Sequence, residues 1–168
     1  VAGLRVRYGA EHVLAVGRLV SYKGFERLVR LAHRLTLPLV IAGWGHGPVI
    51  KLTDCRYLRI QDLVIRGSLK YRSIESRLVR TGGWDSDGSS GSNYEFAYCE
   101  FTDSVDGVFV GGIRRVRFHH NLVENISDDA IFVTANTGFD GETHGGDSHF
   151  YQNRFARNLT CFAFGVGH

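Results

Sequence analysis

The feature that most constrains this chain is a phrase that comes back. FAYCEF at 96–101, FHHNLV at 118–123 and FYQNRF at 150–155 superpose without gaps. Phe96, Phe118 and Phe150 fill one slot, Cys99, Asn121 and Asn153 a second, and Phe101, Val123 and Phe155 a third. The first step is 22 residues and the second 32, the extra ten falling in the Gly-rich stretch Thr134–Asp147. Ile60, Leu63 and Ile65 in YLRIQDLVI read as an earlier copy. Each copy runs on into a second apolar segment: DGVFV at 106–110 matches DAIFV at 129–133, and Cys161–Gly165 follows the third copy.

A unit of this length, made of two or three short strands rich in β-branched and aromatic residues and broken by Asn, Asp and Gly turns, cannot bury its inward side chains alone. Stacking copies places like on like and creates a continuous core. The pattern therefore predicts a mainly β chain in which residues 50–168 form coils of a right-handed parallel β-helix, with loops at 82–92 and 134–147. The three phenylalanines would share an interior column. Asn121 and Asn153 would exchange amide hydrogen bonds along a ladder, and Cys99 would fill the same slot as a small hydrophobe. In these residues the chain resembles the pectate-lyase-like group of right-handed parallel β-helix repeat proteins. That resemblance implies a polysaccharide or glycan partner and an extracellular or periplasmic location.

Residues 1–49 read differently, as a short βαβ segment. HVLAVG at 12–17 is an apolar run closed by glycine, Phe25, Leu28, Val29, Ala32 and Leu35 recur at helical spacing, and LVIA at 39–42 is a second apolar run. Pro38 cannot continue the helix. The segment is expected to give two parallel strands, one amphipathic helix over 25–35, and a cap for the front of the coils. VGRLVSYKGF at 16–25 followed by IAGWGHGP at 41–48 is similar to the start of the nucleotide-binding domain of retaining glycosyltransferases with two Rossmann-like domains. That resemblance implies Arg18 and Lys23 as the basic pair on a sugar-nucleotide diphosphate, with Gly43, Gly45, Gly47 and Pro48 as the glycine loop. His46 is an extra residue in that loop, and the later strands and acidic nucleotide site of the family have no counterpart. A guanidinium fork and an ammonium point charge suit phosphate oxygens.

Composition narrows the partners. Residues 1–81 hold 15 Lys+Arg against 5 Asp+Glu, and residues 82–168 hold 5 against 12. The front half suits an anionic group, and the back half suits cations or carboxylate chemistry. No apolar run reaches the length of a membrane-spanning helix, and nothing points to nucleic acid. Cys55, Cys99 and Cys161 lie far apart with no C-x-x-C pair, which speaks against a disulfide framework or a zinc ribbon. Asn125 and Asn158 stand in N-x-S/T triplets. With no methionine, no leader pattern and nothing capping the coils after His168, the sequence reads as a mature chain or a fragment with a self-associating end.

Three groups of side chains could carry chemistry. Asp106 in DGV and Asp128-Asp129 in DDAI occupy equivalent places on adjacent coils, and neighbouring strands are ~4.8 Å apart, so their carboxyls would approach one another. Glycoside hydrolysis needs one protonated and one ionised carboxyl, and crowding supplies the difference. The spacing resembles the polygalacturonase family, which implies Asp128 as general acid and Asp106 and Asp129 as the pair that activates water. The family's His-Gly element and Arg-x-Lys clamp have no counterpart here, and Asp-Gly and Asp-Asp also serve as plain turns. Asp140, Glu142, His144, Asp147 and His149 in the insertion are of the types that hold a divalent cation, though at no established spacing. His119 and His120 are candidates for contacting substrate, with residue 119 expected to point outward.

Three readings follow: a carbohydrate-active hydrolase or lyase using the clustered aspartates, a non-catalytic β-helix binding module, and a nucleotide-sugar transferase fragment fused to β-helix coils. No cofactor is implied beyond a divalent cation.

Overall fold

The computed structural model describes residues 13–18, 39–44, 48–52, 55–67, 76–81, 91–137, 143–144 and 147–166. β1 (Val13–Arg18), β2 (Leu39–Trp44) and β3 (Ile50–Leu52) come first. The chain then runs in turns of three strands: β4 (Arg56–Gln61), β5 (Leu63–Arg66) and β6 (Arg77–Thr81), then β7 (Gly91–Ala97), β8 (Glu100–Ser104) and β9 (Asp106–Gly111). β10 (Ile113–His119), β11 (Leu122–Ile126) and β12 (Asp129–Thr137) make the next turn. After the short β13 (Thr143–His144) come β14 (His149–Tyr151), β15 (Arg154–Ala156) and β16 (Thr160–Val166). Among the described residues there is no helix, and the helix expected over 25–35 lies outside them.

Every turn visits the same three sheets in the same order. The first sheet is β4-β7-β10-β14, the second β1-β2-β5-β8-β11-β15, and the third β3-β6-β9-β12-β16. All these ladders are parallel; the exception is β13, which lies antiparallel on the end of β12. β12 thus runs through Thr134–Thr137, into the stretch whose glycine content assigns it to a loop, and β7 begins at Gly91, inside the loop expected over 82–92. Three stacked sheets of parallel strands are compatible with the expected β-helix. The parallel pair β1–β2 expected of the front segment is present, and β2 pairs in turn with β5 through Leu39–Leu63 and Ile41–Ile65.

The register matches the repeat slot for slot. Ile60, Phe96, Phe118 and Phe150 stand in one row across the first sheet. Ile65, Phe101, Val123 and Phe155 form the corresponding row of the second. Val79, Val108, Ile131 and Phe162 form that of the third. These rows meet in one core, where Phe118 lies 5.9 Å from Phe96, 5.4 Å from Phe101 and 6.0 Å from Phe150 between ring centroids.

The asparagine ladder is present at the corner between the first and second sheets. Asn121 Nδ2 donates to the Phe96 carbonyl and Asn153 Nδ2 to the Phe118 carbonyl, one rung apart. A further asparagine clasp that the repeat did not announce lies at the next corner, where Asn158 Nδ2 donates to the Val123 carbonyl and its Oδ1 accepts from the Ile126 amide.

Sharp corners require backbone that L-residues avoid. Among the described residues eleven non-glycine residues have positive φ, all between 54° and 61°, and all fall in three columns. Tyr57, Asn93 and Arg115 bend the first-sheet strands near their starts, and Asp147 lies just before β14. Asp62, Tyr98, His120 and Gln152 make the turn into the second sheet, Asp103 and Asn125 lie within second-sheet strands, and Arg157 directly follows β15. Each such residue costs about 1–2 kcal/mol, and the rung-to-rung hydrogen bonds on either side hold it there.

Candidate functional site

The aspartates expected to act together are brought to one corner, where the second sheet gives way to the third. Arg77, Asp106, Asp129 and Thr160 occupy equivalent places on successive rungs. The corner is fixed by backbone bonds: Asp106 N–H donates to the Ser76 carbonyl at 3.0 Å, Asp128 N–H to Val105 at 2.9 Å, and Thr160 N–H to the Asp128 carbonyl at 3.1 Å. Gly107 is required here, because a Cβ at this position would lie 2.1 Å from the Ala130 carbonyl oxygen of the next rung.

The three carboxyls differ in surroundings. Asp106 is half-buried and ion-paired, its Oδ2 accepting from Arg77 Nε at 3.1 Å, with side chains only 17% and 12% exposed. Arg77 also lies over the Phe109 ring, 4.9 Å from its centroid, so its head group is held from two sides. Burial pushes the Asp106 carboxyl above its ordinary range. The Arg77 ion pair opposes this, and repulsion from Asp128 and Asp129 adds to it. Asp129 is raised as well, by burial and by Asp128, against a hydrogen bond from Thr160. Asp128 is exposed beside it. The three carboxyls therefore act on one another through space across the rung boundary. Arg77, which sequence reasoning missed, is the cation that holds Asp106.

His119 and His120 stand at the other corner, at the end of β10. Residue 119 turns away from the core, as alternation after the inward Phe118 requires, yet it is only 7% exposed. Tyr151 of the next rung stacks on its ring at 4.8 Å, and Tyr98 of the previous rung meets it edge-on at 6.0 Å. His120 is exposed and stacks on Tyr98 at 4.8 Å. The two rings are joined Nδ1 to Nδ1 at 2.8 Å, and His119 Nε2 reaches Glu95 Oε1 at 3.0 Å. Arg59 and Arg117, on the rungs either side, also reach the Glu95 carboxylate, at 3.2 and 3.4 Å. Burial alone would push the Glu95 carboxyl up; the His119 hydrogen bond and the Arg117 and Arg59 guanidiniums outweigh it and hold the carboxyl below the ordinary range.

The remaining candidates are placed only in part. Arg18 ends β1 in register with Trp44, Gly43 lies in β2 in register with Gly17, and Lys23, Gly45, His46 and Gly47 fall outside the described residues. Of the insertion residues, Asp140 and Glu142 fall outside them too, His144 belongs to β13, and Asp147 and His149 are exposed. Among the described residues no three His, Cys, Asp or Glu side chains gather as a metal site. The described cysteines form no disulfide, and burial pushes the Cys99 thiol up to about 12.

Comparison with protein-family models, with curated proteins and with solved structures returned no match.

Proposed function

We propose that this chain is a right-handed parallel β-helix that acts on polysaccharide, with Asp106, Asp128 and Asp129 as its hydrolytic corner. The observation that carries the reading is the gathering of three carboxyls at one corner, where burial first, and repulsion from neighbouring aspartates after it, raise Asp106 and Asp129 above their ordinary range. A carboxyl that keeps its proton can donate it to a leaving sugar oxygen, while a second carboxylate nearby activates water or attacks the anomeric carbon. Of the two raised carboxyls, only Asp106 is opposed by the Arg77 ion pair, so we take Asp129 as the proton donor where the polygalacturonase resemblance assigns Asp128. Arg77 keeps Asp106 oriented.

The test is release of reducing ends from a panel of acidic and neutral polysaccharides. Asp129→Asn is expected to lower the rate by about 10²–10⁴-fold, the range for loss of a general acid. The same variant carries a signature in stability. A carboxyl raised in the folded state favours its protonated form there, so its contribution is fully present below the unfolded value near 3.8 and is lost as pH rises through the folded value. Asp129→Asn should therefore melt higher than the parent at pH 7, and the difference should vanish below that value.

A second reading, a β-helix that binds glycan without cleaving it, is favoured by the Arg77–Asp106 ion pair, which gives Asp106 a structural partner. Retention of a polysaccharide on an affinity gel with no reducing ends released, and no change in Asp129→Asn, would establish that reading and overturn catalysis at the corner.

A further inference from the structure

The Glu95–His119–His120 chain lies at the opposite corner and takes no part in the aspartate chemistry. Its geometry is that of a proton relay. The Glu95 carboxylate is held ionised between Arg59, Arg117 and His119, so it accepts from His119 Nε2–H. His119 Nδ1 is then a lone pair and accepts from His120 Nδ1–H across the 2.8 Å contact. That leaves the outer nitrogen of His120, Nε2, as a bare acceptor on an exposed ring. Both rings are clamped: Tyr151 stacks on His119 with an 11° tilt, and Tyr98 on His120 with a 26° tilt. A buried carboxylate that fixes an imidazole's tautomer, and through it presents a basic nitrogen, is the arrangement by which general bases are prepared for acyl transfer. Here a second imidazole lengthens the chain by one link.

We propose that His120 is the general base of an ester-hydrolysing site on the outer face of the first sheet, positioned by His119 and Glu95, for small acyl esters of hydroxylated compounds. Water loses a proton to His120 Nε2 as its oxygen bonds to the ester carbonyl carbon. The carbonyl π pair moves to oxygen, then returns as the carbon–alkoxide bond breaks. The alkoxide takes the proton back from His120, so ester and water become acid and alcohol with nothing left over. Arg117, two residues before His119 on the same strand face, paired with Glu95 and 61% exposed at its side chain, is the cation of this face that the developing oxyanion would draw on. Tyr98 and Tyr151, 54% and 43% exposed, offer apolar ring faces to the alcohol part.

The test uses the whole chain and p-nitrophenyl acetate, with p-nitrophenolate release followed against an equal concentration of free imidazole. The parent is expected to exceed free imidazole by at least about 10²-fold and His120→Gln to fall to its level, in keeping with the usual worth of a general base. Glu95→Gln is expected to lower kcat about tenfold with KM unchanged. In Glu95→Leu, which removes the acceptor altogether, the ¹⁵N shifts of the His119 ring should show loss of fixed protonation at Nε2, a change that a glutamate with no bond to the ring would not produce. A parent rate equal to that of imidazole overturns the proposal, as does a His120→Gln variant of unchanged circular dichroism and unchanged rate.

Discussion

Phe118→Ala is expected to destabilise the fold by about 3–5 kcal/mol, the largest single loss in the core. Phe118 is fully buried on the central rung and touches rings on three sides, Phe96 below, Phe150 above and Phe101 across the corner. Its neighbours cannot close the void, because Phe96 and Phe150 are fixed in register by the parallel ladders on both sides of β10, and Phe101 by those on both sides of β8. The cost should appear as a fall in melting temperature of at least about 6 °C in a chain of this size. Phe118→Leu, which keeps most of the volume, should lose less than half as much. Phe150→Ala is the informative comparison: Phe150 is only half-buried at the outer rung, so its loss should be clearly smaller. Equal losses at 118 and 150 would mean that the two rings share an environment the register does not give them.

That register is legible in the sequence for a physical reason. A side chain that must stack on its counterpart one rung away is held to one size and chemistry at each step. Phe96, Phe118 and Phe150 therefore recur, and so do Asn121 and Asn153. The positive-φ columns were not readable. Tyr98, Arg115 and Gln152 adopt the left-handed region because rung bonds hold them, and none of these residue types announces it as glycine would. The ion pair Arg77–Asp106 was hidden for a related reason. Its partners are 29 residues apart, and the rung before Asp106 does not follow the phrase that sets the period. The aspartate corner was legible as a spacing, but its ordering was not: which carboxyl keeps a proton depends on burial and on Arg77, and neither is written in DGV or DDA. The His119–His120 pair was legible as a motif, yet the reading expected an outward ring and missed the cover that Tyr98 and Tyr151 of the flanking rungs provide. Glu95, the carboxylate that gives the pair its direction, stands 24 residues before His119 and carries no local signal.

Asn121→Leu is expected to cost about 2–5 kcal/mol although it adds apolar bulk to a buried slot. Asn121 Oδ1 accepts from the Cys99 amide at 2.8 Å, and its Nδ2 donates to the Phe96 carbonyl at 3.0 Å and to Asn153 Oδ1 at 3.2 Å. Leucine would strand the Cys99 N–H and the Phe96 C=O in the interior at about 1–3 kcal/mol each. Asn121→Asp should be worse at neutral pH, because it aims a buried carboxylate oxygen at the Phe96 carbonyl oxygen and at Asn153 Oδ1. The position one rung earlier offers the opposite experiment. Cys99 occupies the same slot, its thiol lying 3.3 Å from the Ala97 carbonyl and 3.7 Å from that of Ile60, a weaker version of the bond that Asn121 makes to Phe96. Cys99→Asn would let Nδ2 donate to the Ile60 carbonyl and Oδ1 accept from the Leu63 amide, extending the ladder by a rung. A net gain of about 0.5–1.5 kcal/mol is expected, the usual worth of an intramolecular hydrogen bond. Chemical denaturation of Asn121→Leu, Asn121→Asp and Cys99→Asn beside the parent decides the matter: a destabilised Cys99→Asn together with a tolerated Asn121→Leu would mean that side-chain volume, not amide pairing, holds this corner.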